Sequence, residues 1–196
     1  MHKWICLVII KNLKSTLKKY QIVYADPPWQ YTSKKFQDGG RDFDKLESNH
    51  YATMTIDDLS KLPIEHIITD DSACFLWVVD SHLKEGIEIL EHWGFSYKTV
   101  AFNWIKITKN KKQCYNFSPW TLKSWELVLL GTRGKMGKYK LLNNVKGLVI
   151  AERTEHSRKP EEVRKRIDSL FGNVEKIELF ARRVTPGWDA WGDEIS

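Results

Sequence analysis

A chain of 196 residues, 42% hydrophobic and 29% charged, has the material for one domain with a real core and is too apolar for a disordered polypeptide. Its 31 Lys and Arg exceed its 25 Asp and Glu, giving a formal charge of +6 that suits a nucleic-acid partner without requiring one. Three widely spaced cysteines, Cys6, Cys74 and Cys114, supply neither a disulfide framework nor a four-ligand zinc set, which points to a reducing compartment and no metal.

In chain order, the apolar stretch 4–10 is too short to cross a bilayer and lacks a small-residue cleavage site, so 5–10 is expected as a strand. A second strand, 21–25, runs directly into Asp26-Pro27-Pro28-Trp29. From 30 to 49 the chain is polar and aperiodic, with Gly39-Gly40 inside it, and reads as a long functional loop. Thr55 is the expected N-cap of a short helix with Asp57 and Asp58 in its first turn, interrupted by Pro63.

The continuous apolar run 73–79 has the pattern of a buried parallel strand. Ser81 is then expected to cap a helix in which Leu83, Ile87 and Leu90 recur at helical spacing, ended by Gly94. Further strands are expected at 97–107, 126–131, 147–151 and 176–180. Between the last two, Pro160 opens a helix with Glu161 and Glu162 in its first turn, Val163, Ile167 and Leu170 on its buried stripe, and Gly172 at its end. Buried-type strands alternating with amphipathic helices make an α/β layer fold, whose ligand sits beyond the carboxyl ends of the strands. Asp26 lies at such an end.

A carboxylate, two rigid prolines and a large aromatic at a strand exit suit a flat ring that bears an amino group. Trp29 would offer a stacking face, while Asp26 and the Pro27 carbonyl are acceptors held with little entropy to lose. The plainer alternative is a turn with a core tryptophan. A Gly-x-Gly-x-x-Gly fingerprint is missing, which disfavours a phosphate-bearing dinucleotide. Two basic segments, 106–112 and 133–146, each follow a strand and are expected on the same rim as Asp26. Tyr115, Phe117 and Trp120 interleave with that charge, a composition suited to phosphates and exposed bases.

The Asp26-Pro27-Pro28-Trp29 string closely resembles the catalytic motif of the MT-A70-like adenine-N6 methyltransferases. Other segments resemble that family in its order: His50-Tyr51-Ala52-Thr53-Met54, Phe75-Leu76-Trp77-Val78, Phe102-Asn103-Trp104-Ile105-Lys106, and Trp120 with Glu126 followed by Leu127-Val128-Leu129-Leu130-Gly131. Glu155-His156-Ser157-Arg158-Lys159-Pro160, Ile177-Glu178-Leu179-Phe180 and Gly187-Trp188-Asp189-Ala190-Trp191-Gly192-Asp193-Glu194 continue it, so the resemblance runs from about 20 to 194.

The resemblance implies an α/β, Rossmann-like S-adenosylmethionine-dependent methyltransferase fold: a mostly parallel central sheet with helices on both faces. It implies a single domain over 1–196, with substrate loops at 30–54 and 107–125, in the cytoplasm of a prokaryote or of a phage-infected cell. The implied reaction moves a methyl group from S-adenosylmethionine to N6 of adenine in DNA. RNA as target, or an inactive nucleic-acid-binding partner of a catalytic subunit, are the alternatives; self-association stays open.

By motif, Asp26 and the Pro27 carbonyl would hold the amino group, Pro28 would stiffen the loop, and Trp29 would line the adenine pocket beside His50 and Tyr51. Asp26, Lys106, Arg158, Lys159, Phe180, Trp188 and Asp193 would bind the cofactor, with packing of the C-terminal tail as the other reading of Trp188. Lys106 could equally meet the target backbone. Lys111, Lys112, Trp120, Lys135 and Lys138 would bind the target. Two departures stand out: Asp193 replaces the family's usual Asn, and Trp125 precedes Glu126 where His or another polar residue is common.

Overall fold

Alternation along the strands sets the architecture. The first described strand, β1 (Tyr20–Ala25), sends Val23 and Ala25 into one apolar cluster and Ile22 and Tyr24 into another. In β2 (Ile68–Val78), Cys74, Leu76 and Val78 join the first cluster, and Ala73, Phe75 and Trp77 the second. A sheet apolar on both faces needs cover on both. Helices α1 (Ile56–Ser60) and α2 (Leu83–His92) contribute Leu59, Ile89 and Leu90 to the first cluster. Helix α3 (Glu161–Phe171) covers the second with Val163, Ile167 and Phe171. The computed structural model describes residues 16–30, 53–116, 120–154, 158–193 and 195. The strand expected at 5–10 and the loop from 31 to 49 lie outside the described residues.

The remaining strands are β3 (Ser96–Ile107), β4 (Trp125–Arg133), β5 (Leu148–Glu152), β6 (Lys176–Leu179) and β7 (Asp189–Trp191). They form one sheet in the order β5-β3-β4-β2-β1-β6-β7. Every neighbouring pair is parallel except those of β4, which runs antiparallel to both β2 and β3. The sheet is therefore mixed, with six strands pointing one way. The reversal of β4 has a positional consequence. Its first residues pair with the last of its neighbours, Trp104 with Glu126 and Val78 with Leu127, whereas Arg133 pairs with Ser72 at the other rim.

Local chemistry accounts for where the elements begin and end. Thr55 caps α1, its Oγ1 accepting the Asp58 N–H at 3.1 Å. Ser81 is not the cap of α2; it lies in a 3₁₀ turn, Asp80–His82, and its hydroxyl bonds His82 Nδ1 at 3.1 Å. Gly86 lets α2 sit directly on the sheet, since a Cβ there would stand 2.5 Å from Val78 Cγ1. Strand β2 starts earlier than its apolar run, because the register jumps from Tyr20↔Ile68 to Ile22↔Ala73 and polar residues fill the bulge. Within it, Thr69 Oγ1 donates to the Asp71 carbonyl at 2.7 Å. Among the described residues no helix is long and apolar enough to cross a membrane.

Candidate active site

Strand β1 ends between β2 and β6, with Ala25 level with Leu76 and Leu179, so Asp26 emerges at the carboxyl edge of three parallel strands. The prolines then turn the chain tightly. The Pro27 carbonyl accepts the Trp29 N–H at 2.9 Å, and the Pro28 carbonyl accepts the Met54 N–H at 2.8 Å. Trp29 is 6% exposed and belongs to the cluster under α1 and α2, its indole N–H donated to the Trp77 carbonyl at 3.1 Å. Its ring stands 5.6 Å from that of His82. Trp29 is thus the core tryptophan of the plainer reading, not the open stacking face expected of it: it anchors the loop from one face of the sheet, while the Asp26 carboxylate turns toward the other.

On that other face four charged side chains form a chain. Asp26 Oδ2 accepts from Lys159 Nζ at 2.8 Å, Lys159 reaches Glu126 Oε2 at 3.3 Å, and Lys106 closes on Glu126 Oε1. Aromatic faces lie beneath the cations: Trp77 is 5.4 Å from Lys159 Nζ, and Trp104 is 5.1 Å from Lys106 Nζ. Each residue comes from a different element: the β1 exit, the segment before α3, the start of β4 and the end of β3. Positive and negative side chains alternate along this chain, so each is flanked by an opposite charge.

Burial pushes the Asp26 carboxyl above its ordinary range, even though the Lys159 ammonium pulls the other way. Burial alone would raise Glu126 as well, but Lys159 and Lys106 together hold it below the usual glutamate range. For Lys159, burial favours the neutral amine; Asp26 and Glu126 overcome that and raise its pKa. The group left straining for a proton, or for a hydrogen-bond donor, is Asp26.

A second ionic cluster supports the first from below. Arg164 of α3 donates to Glu178 of β6 at 2.6 Å, also pairs with Glu161, and lies over the Tyr24 ring at 5.6 Å. It ties the first turn of α3 to the sheet, and Lys159 precedes that turn by two residues.

The structure brings together some residues expected at the site and separates others. Lys159 meets Asp26 as described. Lys106 is at the right edge, but it is buried against Glu126 rather than open to a ligand. Arg158 is exposed beside Lys159. Phe180 stands at the exit of β6 with φ 60°, a strained conformation for a bulky residue, its ring edge-on to Trp191 at 5.6 Å. Gly192 presses the chain after β7 against the Ala181 carbonyl, where a Cβ would stand 2.1 Å away, and this brings the exposed Asp193 to the same edge. Lys111, Lys112 and Trp120 lie exposed on the hairpin between β3 and β4, also at this edge. His50, Tyr51 and Phe117 lie outside the described residues.

Two expectations need correction. Trp188 is at the opposite end of the sheet, buried against Tyr24 and with its indole N–H directed to Asp168, because β7 runs parallel to β6 and starts at the far rim. It packs the tail and is not placed to touch a ligand at Asp26. Lys135 and Lys138 also lie at the far rim, since antiparallel β4 delivers its exit there. Asp71 accepts from the Lys135 N–H at 2.6 Å and pairs with Lys138 at 2.5 Å. Conversely, Glu126 had no assigned role in the sequence. Its signal was an acid opening an otherwise apolar strand.

The MT-A70 family model matches residues 20–194. The type II methyltransferase M.MunI of Mycoplasma sp is 39% identical over 189 residues, covering 91% of this chain and 78% of that protein. The N(6)-adenosine-methyltransferase catalytic subunit METTL3 of Homo sapiens is 29% identical over 201 residues, covering 98% of this chain and 31% of its own length. The N(6)-adenine-specific methyltransferase METTL4 of Homo sapiens is 28% identical over 202 residues, with 97% and 40% covered.

Proposed function

Because the chain belongs to the MT-A70 family, we propose that it transfers a methyl group from S-adenosylmethionine to the N6 amino group of adenine in DNA. The observation that carries this reading is Asp26: an acceptor at the carboxyl edge of β1, held by two prolines and poorly solvated. The six co-directed strands with their site beyond the carboxyl ends support a Rossmann-like methyltransferase sheet. DNA is preferred on the match to the type II methyltransferase, which extends over most of both chains. RNA is the second reading, favoured by the likeness to the N(6)-adenosine-methyltransferase subunit. The cytoplasm of a prokaryotic or phage-infected cell suits either target.

The residues fit the amino-acid end of that cofactor. Asp26 and Lys159 present one carboxylate and one ammonium side by side, the complement of a zwitterion. When bound, S-adenosylmethionine supplies a methyl group on a positively charged sulfur, already activated toward a nucleophile. The protein's part is alignment and polarisation. Asp26 Oδ accepts an amino hydrogen of the adenine, with the second lone pair of the Pro27 carbonyl as its companion. The amino nitrogen then gains tetrahedral character, and the carboxylate stabilises the positive charge that develops there. Trp29 fixes the loop so that this acceptor pair does not reorganise during the reaction. Lys159, shared between Asp26 and Glu126, holds the Asp26 carboxylate in place beside the reacting amino group.

The decisive experiment incubates the protein with methyl-labelled cofactor and adenine-containing DNA and RNA oligonucleotides, then identifies the modified nucleoside. N6-methyladenine is expected. Label found only in cytosine, or only in protein, overturns the assignment.

A further inference from the structure

The hairpin between β3 and β4 is tied down at its base and exposed at residues 120–122 beyond it. At the base, the Lys106 N–H donates to the Ser124 carbonyl at 2.7 Å and the Cys114 N–H to the Lys106 carbonyl at 2.9 Å. Further out, Asn116 and Lys123 exchange both backbone hydrogen bonds, at 2.6 and 3.0 Å. The Lys123 side chain pairs with Asp80 at the β2 exit, so the hairpin is fastened to a second strand end. Lys106 and Glu126, its two stems, belong to the charged chain that holds Asp26 through Lys159.

On this fixed support Trp120 is 93% exposed, and among the described residues it makes no ring contact or hydrogen bond. Tyr115 is 57% exposed with its hydroxyl oriented by Gln113 at 2.6 Å, and Leu122 is 53% exposed. Lys109, Lys111 and Lys112 are exposed on the turn that begins the same hairpin. Apolar rings among cations, at the same edge of the sheet as an acceptor for an amino group, match a chain of bases and phosphates.

We propose that the hairpin tip holds a base adjacent to the target adenine, stacked on Trp120, with Lys111 and Lys112 on neighbouring phosphates. The proposal rests on the methyltransferase reading and specifies its substrate. A ring can meet the face of a neighbouring base once that base has lost a stacking partner, in a single strand or beside an adenine turned out of a duplex. The single strand offers that face without the cost of unpairing, so the enzyme acts on a single-stranded stretch in preference to an intact duplex.

The test compares wild type, Trp120→Ala and Trp120→Phe on one adenine-containing DNA oligonucleotide. It is offered as a single strand, as a duplex, and with an abasic residue at each neighbour of the adenine in turn. Trp120→Ala is expected to raise KM for the single strand about tenfold, with the loss falling on KM, and Trp120→Phe to recover most of it. An abasic neighbour on one side should cost wild type a similar factor and cost Trp120→Ala almost nothing further. Equal KM for wild type and Trp120→Ala, equal abasic penalties in both, or preferred use of the duplex would each overturn the proposal. Fluorescence anisotropy with the same oligonucleotides separates the two readings. Binding that depends on Trp120 without any methylation sinks the methyltransferase reading alone, whereas binding indifferent to Trp120 sinks this one.

Discussion

The ammonium of Lys159 lies 2.8 Å from the carboxylate of Asp26, a contact made across 133 residues of chain. The pair exists only when the exit of β1 and the approach to α3 have both docked on the sheet. It is therefore a product of the folded sheet and of no local segment.

Removing the acceptor is expected to stop the reaction without harming the fold. Asp26→Ala should lower kcat by at least about a hundredfold, the equivalent of losing a charged hydrogen bond of about 3 kcal/mol. Asp26→Asn should be nearly as inactive, and no less stable than wild type in urea, because burial disfavours the charge it removes. Wild-type rates in the Ala variant would show that Asp26 is not at the reacting centre.

The pH dependence follows from the same balance. In the role proposed for it, Asp26 accepts the amino hydrogen as a carboxylate, and its pKa is raised, so the acid limb of kcat/KM should lie above the ordinary aspartate range. Lys159 is the cation that opposes this rise. In Lys159→Met the limb is expected to move to still higher pH, besides any loss of cofactor affinity. A pH–rate profile for both proteins checks the direction; a shift downward contradicts the arrangement.

Glu126 should matter for stability as much as for activity. Glu126→Gln leaves Lys106 and Lys159 without their shared anion, and the expected cost is about 3–5 kcal/mol by chemical denaturation. The folded-state pKa of Glu126 is depressed, so its stabilisation is present above the ordinary glutamate range and is lost as pH falls through the folded value. The Gln variant should accordingly lose part of the wild-type sensitivity to acid.

The two lysine pairs should part company. Lys111→Ala with Lys112→Ala is expected to weaken oligonucleotide binding and to flatten its salt dependence by about 0.7 to 0.9 per lost phosphate contact. Lys135→Ala with Lys138→Ala should leave both unchanged, being at the far rim. Titrations at several salt concentrations compare them directly.

Trp188→Ala offers a control from the far end of the sheet. Its buried ring packs on Tyr24, so the variant should lose about 3–5 kcal/mol of stability. Its affinity for cofactor should remain that of wild type in calorimetry at a temperature where it is folded.

Much of this site can be read along the chain, and the unread part has a common cause. Apolar runs and caps announce β1, β2 and α3, and the position of Asp26 at a strand exit follows from them. Periodicity says nothing about strand direction. Placing Lys135 and Lys138 beside Asp26 required β4 to be parallel, whereas its hairpin with β3 makes it antiparallel. Strand β7 has only three residues and no apolar period, so Trp188 could not be assigned to an end of the sheet from sequence. Glu126 stayed hidden because its partners, Lys106 and Lys159, are 20 and 33 positions away, and only the folded sheet makes them neighbours.

The reversal of β4 also divides labour within a single hairpin. Its stems are fixed by sheet pairing on both sides and carry the charges around Asp26, while residues 120–122 beyond them are exposed. Length and sequence there can drift, or be exchanged with a relative's, without disturbing the register that seats Glu126. Grafting a foreign tip between Asn116 and Lys123 should thus retune which neighbouring nucleotides are accepted, while the chemistry at the amino group is inherited intact.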